Sequence, residues 1–475
     1  MALTLNGASS SNKSIGYLGS KGYTVPKASL SEVALHVLYK ELTFRPETFA
    51  SKVMKVPGPA FKIWRENANK IYVPRFYGEK KWGVTESRLE VPMSIDVPFR
   101  GDIRDAQRPA VAAFLEKGSG LLELPCGFGK TILSLNIVSR LRVKTIIVVH
   151  KEFLLEQWLE RIAEFLPTAR VGRIQGTTVD VDDKDIVLAM LQSLSMKEYP
   201  AETFAGFGLT IIDETHHIAA EVFCQALFKV VTPHMLGLSA TMERKDGLSK
   251  VFKLFLGEIV YSAQRETVDN VVVHKVLFRS DDEAYTRTET NWKGETQFAT
   301  MIRKVCEFAP RSEFILKVLT HLLTDARNGQ IMLLSQNRCL LDYLHAAIVA
   351  RTIADVGFYV GGMKPAALKK SESCRVILGT FAMAEEALDI KTLTTMVFTT
   401  SKTDVTQAVG RILRVKHERP MVVDIVDEHQ VFVNQWAKRA AFYKKNGYSI
   451  VMSDSVGYPA LIPTQTKKRK EPATF

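Results

Sequence analysis

Cysteine is scarce in this chain. There are five, at 126, 224, 306, 339 and 374. The number is odd, they are scattered, and none forms a C-x-x-C pair, which argues for a reducing compartment and against a zinc site or a disulfide framework. Long apolar runs are missing as well. Thr145–Val149 and Gln330–Leu334 fall far short of the ~20 residues that span a bilayer, so no membrane segment is expected. The opening stretch MALTLNGASSSNKS has no basic patch followed by an apolar run, so it does not read as a secretory signal, and an intracellular protein is expected. What is present is ordinary in bulk. Apolar residues are 46% and charged residues 24%, which excludes collagen-like, mucin-like and wholly disordered chains. A length of 475 residues suggests about three domains.

The net charge of +12 is unevenly placed. Residues 1–95 carry 14 Lys+Arg against 7 Asp+Glu, and residues 435–475 carry 8 against 2. The body between them, 96–434, has 41 against 42 and is electroneutral. Basic ends of this kind suit an anionic polymer, with nucleic acid the leading candidate.

The body alternates short Val/Ile/Leu runs with helix-like stretches. Thr145–His150, Asp185–Leu191, Leu209–Ile212, Met235–Leu238, Ile331–Leu334, Arg375–Leu378, Thr395–Phe398 and Met421–Val426 read as strands buried on both faces. Thr131–Leu141, Glu152–Phe165, Ala219–Val230, Arg311–Asp325, Cys339–Ala350 and Asp404–Leu413 read as helices. Strand alternating with helix predicts an α/β doubly wound parallel sheet, and about 330 residues is too much for one, so two are expected. The predicted division is a basic accessory domain over 1–98, a first α/β domain over 99–262, a linker or insertion over 263–310, a second α/β domain over 311–434, and a basic C-terminal helix and tail over 435–475, with 452–475 read as the tail proper. Residues 1–98 interleave cations (Lys55, Lys62, Arg65, Lys70, Arg75, Lys80, Lys81) with aromatics (Trp64, Tyr72, Phe76, Tyr77, Trp82). That mixture suits stacking on bases and contacting phosphates, and equally suits a small domain with an aromatic core.

The sharpest motif is Leu121-Leu122-Glu123-Leu124-Pro125-Cys126-Gly127-Phe128-Gly129-Lys130-Thr131. An apolar strand enters a glycine-containing loop, and Lys-Thr opens a helix. Backbone N–H groups in such a loop, with the positive end of the helix dipole, cradle a polyphosphate. Lys130 is expected on the β- and γ-phosphates and Thr131 on Mg²⁺. Leu124 stands where the usual phosphate loop has its first glycine. About 80 residues on, Leu209-Thr210-Ile211-Ile212 runs into Asp213-Glu214. Two carboxylates at the end of a buried strand are costly unless a cation or proton uses them. Asp213 is expected to hold Mg²⁺ and Glu214 to polarise an attacking water.

The order of further motifs over residues 99–430 resembles that of superfamily-two helicases and translocases, which have two tandem RecA-like domains. The resemblance assigns Arg104 and Gln107, in Arg104-Asp105-Ala106-Gln107, to adenine sensing. It assigns the loop residues Leu124, Pro125, Cys126, Gly127, Phe128 and Gly129, with Lys130 and Thr131, to ATP. His150, Lys151 and Gln157 fit the first strand-contacting motif, Gln192 and Ser193 the next, and Gly361, Gly362 and Thr380 the backbone contacts of the second domain. Ser239-Ala240-Thr241 fits the motif that couples hydrolysis to movement, and His216 is a further link to the nucleotide state. Gln407, Arg411 and Arg414 fit the last motif, whose arginines stabilise charge on the γ-phosphate. Asp389 is assigned to the cleft between the domains; the family's glycine is replaced nearby by Ala387.

Val73-Pro74-Arg75-Phe76-Tyr77-Gly78, His150-Lys151-Glu152-Phe153-Leu154 and Ser239-Ala240-Thr241-Met242-Glu243-Arg244-Lys245-Asp246-Gly247 narrow this resemblance. They are similar to helicases of large double-stranded DNA viruses of the poxvirus transcript-release type, related to phage recombination helicases and the xeroderma-type repair helicase. The resemblance implies ATP and Mg²⁺ as cofactors, DNA as partner, and DNA-stimulated hydrolysis with movement 3′ to 5′ in several members. A role in viral transcription with a viral RNA polymerase, or in repair and recombination, goes with it, as does action as a monomer in host cytoplasm, nucleus or virion. Four alternatives stay open: a duplex translocase without strand separation, an RNA helicase or hybrid-acting motor, a restriction-enzyme motor subunit, and a non-catalytic nucleic-acid-binding protein. The terminal Lys467–Lys470 cluster is open between a nuclear address, a phosphate-gripping tail and a solvated end.

Overall fold

The computed structural model describes residues 15–46, 59–84, 86–125, 127–214, 220–240, 248–263, 270–325, 328–386, 390–413 and 417–458. The chain divides into two compact units, 1–265 and 266–475. Among the described residues no helix is long and apolar enough to cross a membrane.

The first unit holds an eight-stranded sheet. From edge to edge it runs Thr178–Val179, Val171–Gln175, Ile186–Met190, Thr145–Val149, Leu209–Ile212, His234–Ser239, Gly120–Glu123 and Ile259–Ser262. All neighbours are parallel except the first pair. The strand sequences explain this. Every residue of Thr145–Val149 and Leu209–Ile212 is buried, so both faces need cover, and crossover helices supply it. Alternate residues enter different cores. Ile147 and Val149 pack with helices Arg108–Lys117, Lys130–Leu141 and Glu152–Phe165, whereas Ile146 and Val148 pack with Ala220–Leu227 and Ser249–Leu256.

Residues 15–84 do not form a detached domain. A four-stranded sheet, ordered Tyr17–Gly19, Gly22–Pro26, Lys70–Val73 and Arg65–Glu66, is antiparallel throughout. Its Tyr23, Val25, Ile71 and Val73 share one core with Leu121, Phe228 and Phe255 of the large-sheet layer. Trp64, Tyr77 and Trp82 pack against that same core, so these aromatics are structural. Arg75 donates to the Pro233 carbonyl at 2.7 Å and Arg65 to that of Gln225 at 3.2 Å, so two of the cations fasten this layer to the rest of the unit.

The second unit holds a seven-stranded, wholly parallel sheet in the order Val356–Tyr359, Val376–Thr380, Gln330–Ser335, Leu393–Phe398, Met421–Asp427, Val272–Phe278 and Ser449–Asp454. Two expectations are corrected here. The span 263–310 is no linker over its described part: Val272–Phe278 is an interior strand and Phe298–Glu307 a helix with Met301, Ile302, Val305 and Cys306 in the core. Nor are residues 435–475 only helix and tail: the helix begins earlier, at Gln430–Lys445, and Ser449–Asp454 pairs with Val272–Phe278 as the edge strand. The run VVHKVLF is interrupted by His274 and Lys275, and His274 is accommodated by a hydrogen-bond partner, Ser453 Oγ at 2.8 Å, on that edge strand.

Met421–Asp427 carries two buried acids, Asp424 and Asp427. Three residues apart on a strand, they face opposite sides of the sheet. Arg439, from Gln430–Lys445, forks onto Asp424 at 2.7 and 2.8 Å. Arg311, from Ala309–Thr324, forks onto Asp427 at 2.5 and 2.9 Å. Each helix is thus pinned to its own face of the same strand. Replacing Arg311 with Met leaves Asp427 buried without its cation, and we expect a loss of about 3–5 kcal/mol, seen as a lower-temperature transition in calorimetry of the whole chain. Adding Asp427→Leu should restore most of it; a single variant that melts like wild type would refute the pin.

Candidate active site

The strand Gly120–Glu123 delivers the chain to the loop, and Leu124 N–H donates to Ser239 O at 2.8 Å, which extends the pairing by one residue. Gly127 and Gly129 then take φ of 80° and 83°, the left-handed region that other residues enter only with strain. Gly129 precedes the helix Lys130–Leu141, whose first-turn N–H groups have no carbonyl of their own helix to bond. Thr131 is half-buried in that turn, Leu124 is buried and Pro125 half-buried. Cys126 lies outside the described residues.

Arg104 and Gln107 sit against this loop. Gln107, buried, donates from Nε2 to Phe128 O at 2.7 Å and Gly129 O at 3.4 Å, while its Oε1 accepts from Arg104 N–H at 2.8 Å. Arg104 Nη2 donates to Gly127 O at 3.2 Å and also to Phe128 O. The pair expected to sense a base therefore holds the loop's carbonyls, and planar peptide bonds then point the loop's N–H groups the other way. A β-carbon on Gly129 would lie 2.4 Å from Gln107 Nε2, so the strap and the glycine require each other.

The carboxylates arrive at the end of Leu209–Ile212. Asp213 is buried; its Oδ2 accepts from Trp158 Nε1 at 3.0 Å and its Oδ1 from Glu214 N–H at 2.9 Å. Glu214 has φ of 50°, a strained conformation for a side-chain-bearing residue and one found at functional sites. Its Oε1 lies 2.7 Å from Lys130 Nζ. Burial, then the adjacent Glu214 charge, pushes Asp213 up to about 6, with Lys130 and the Trp158 hydrogen bond opposing. A carboxylate so placed favours a neighbouring cation. Trp158 is a partner of Asp213 that its helical spacing did not announce. In a helix reading EFLLEQWLERIAEF its spacing marks it only as core.

Other expected residues fall as follows. His150, buried, follows strand Thr145–Val149, and its carbonyl accepts from Gln192 Nε2 at 2.9 Å, which joins two motifs. Lys151 caps helix Glu152–Phe165, and Gln157 is half-buried on it. The Ser193 hydroxyl accepts from Gly176 N–H at 2.9 Å. Ser239 ends its strand buried, with Ala240 half-buried after it. In the second unit, Gly361 and Gly362 are exposed after Val356–Tyr359, and Thr380 closes Val376–Thr380. Gln407 and Arg411 stand one turn apart on Thr406–Arg411, and Arg411 Nη2 donates to Glu385 O. His216, Thr241, Asp389 and Arg414 lie outside the described residues, as does the 467–470 cluster.

A phosphate loop facing a strand-end acid pair on a parallel sheet defines a P-loop ATPase domain. Residues 100–244 match the family model described as "Type III restriction enzyme, res subunit". A putative ATP-dependent RNA helicase, L396, of Acanthamoeba polyphaga mimivirus is 33% identical over 450 residues, 90% of this chain and 85% of that protein. A putative ATP-dependent RNA helicase, QP509L, of African swine fever virus is 25% identical over 360 residues, 70% of each chain. The DNA 3'-5' translocase XPB2 of Sulfurisphaera tokodaii is 34% identical over 212 residues, 43% of this chain and 45% of that one. The chain belongs to the superfamily-two helicases, and with that membership goes nucleic-acid-dependent ATP hydrolysis.

Two substitutions test the site's construction. Gly129→Ala should lower stability by about 1–3 kcal/mol and abolish binding of a fluorescent ATP analogue; unimpaired binding would dismiss the strap. Trp158→Phe keeps the packing but removes the N–H from Asp213. Its ATPase rate, or its Mg²⁺ requirement, should worsen by about 10–100-fold with little change in melting.

Proposed function

We propose that this protein is an ATP-driven motor on DNA. The observation that carries the reading is the Lys130–Glu214 ion pair at 2.7 Å beside the buried Asp213 and next to the phosphate loop. In this reading the loop's N–H groups and Lys130 take the β- and γ-phosphates. As phosphate claims Lys130, Glu214 becomes the acceptor that orients and polarises the attacking water. Thr131 and Asp213 hold Mg²⁺, which when bound offsets phosphate charge. Arg411 and Arg414 neutralise charge growing on the γ-phosphate, with Gln407, His216 and Asp389 assisting. His150, Lys151, Gln157, Gln192, Ser193, Gly361, Gly362 and Thr380 grip the nucleic-acid backbone, and Ser239-Ala240-Thr241 relays the nucleotide state to that grip.

Support for DNA comes from the likeness to a protein named a DNA translocase, at 34% identity over 212 residues. A second reading, an RNA motor, has its own support. The relative with 33% identity over 450 residues is named an RNA helicase. Hydrolysis by the purified chain, alone and with single-stranded DNA, duplex DNA or RNA, separates the two. Stimulation by DNA, reduced by about 10²-fold or more in both Lys130→Ala and Glu214→Gln, is the expected result. Stimulation by RNA alone would reverse the substrate assignment. Hydrolysis that survives both substitutions would remove the site.

A further inference from the structure

All five tryptophans are described. Trp158 and Trp436 are buried and Trp64 and Trp82 half-buried, but Trp292 is 89% exposed. It stands at the tip of a short hairpin, 289–297, in the second unit, where Thr290 and Thr296 form an antiparallel bridge. The tip is stiff. Asn291 Oδ1 accepts from the N–H groups of Lys293 and Glu295 at 2.9 and 3.0 Å, and Asn291 N–H donates to Glu295 O at 2.9 Å. Gly294 turns the chain at φ of 77°. The foot is stiff too. Gln297 N–H donates to Glu289 O at 2.9 Å, and the helix that follows, Phe298–Glu307, is anchored in the core by Met301 and Val305. A single exposed apolar residue usually needs no explanation. A whole indole held out by a braced hairpin, with Lys293 Nζ 4.8 Å from its ring centre, is a presented surface with a flat π-face and a cation beside it. Of the hairpin's two carboxylates, one is answered by a cation and the other is held by a side-chain amide. Glu289 lies 3.6 Å from Lys304, and Glu295 accepts from Asn291 Nδ2 at 2.9 Å.

The hairpin follows Val272–Phe278 by way of the short helix Glu283–Thr286, whose Tyr285 hydroxyl donates to Asp427 at the carboxyl end of Met421–Asp427. Because the sheet is wholly parallel, this is the same edge from which Gly361, Gly362 and Thr380 emerge. Four strand spacings, about 20 Å, separate Val376–Thr380 from Val272–Phe278. We infer that Trp292 is a stacking pin that holds an unpaired base of single-stranded DNA, with Lys293 on the adjoining phosphate. The inference rests on the motor reading for its polymer. Its chemistry is that of aromatic platforms for single strands, where one stacked base changes affinity about tenfold.

The test is binding of an oligothymidylate to the full chain without ATP, read by intrinsic tryptophan fluorescence. The wild type should be quenched. Trp292→Ala should lose most of that quench and bind about tenfold more weakly with an unchanged melting temperature, and Trp292→Phe should recover most of the affinity. Equal affinity and equal quench in Trp292→Ala would overturn the pin. Because no hydrolysis is required, a chain that shows the expected loss but never hydrolyses ATP would overturn the motor reading and leave the pin standing.

Discussion

A carboxylate buried at the end of an apolar strand is unstable unless its surroundings answer its charge, and the first unit is organised around that demand. Asp213 meets it with an indole N–H from a neighbouring helix and the N–H of Glu214. The second bond goes with the positive φ at Glu214, which places the next carboxylate against Lys130. Strand, helix and phosphate loop are therefore tied through one acid.

The loop beside it is held from behind. Gln107 and Arg104 bond to carbonyls, not to N–H groups, so the face suited to anions is the one they leave open. The second unit uses the same economy. A single strand with an acid on each face, each answered by a forked arginine, fixes the helices on both sides of a parallel sheet. Such pairs contribute little net stability over well-packed apolar groups, but they specify which helix lies where.

Much of this was legible from residue order. The strands with unbroken Val/Ile/Leu runs are all present, because only a two-sided core accepts them and their helices follow at the spacing a crossover needs. The phosphate loop, Asp213 and Glu214 were equally legible, since their chemistry requires those residue types at the ends of such strands. The failures share one cause. Val272–Phe278 is broken by His274 and Lys275, Ser449–Asp454 is half polar, and the two pair with each other, so neither looks like a buried strand until the partner is known. The aromatics of residues 1–98 suited a nucleic-acid surface and an aromatic core equally; Trp64, Tyr77 and Trp82 pack against a core that includes Phe228 and Phe255, far away in sequence, which no local pattern shows.

The sequence by itself determined the doubly wound class and the two repeats of that class. Local patterns and obligatory residue chemistry carry that information. Only the tertiary structure decided that Trp158 bonds Asp213, that Gln107 and Arg104 brace the loop, that Tyr23, Val25, Ile71 and Val73 share a core with Phe228 and Phe255, and that one tryptophan of five stands in solvent. Each of these depends on which distant surfaces meet. An indole reads the same in a sequence whether a core covers it or a hairpin presents it.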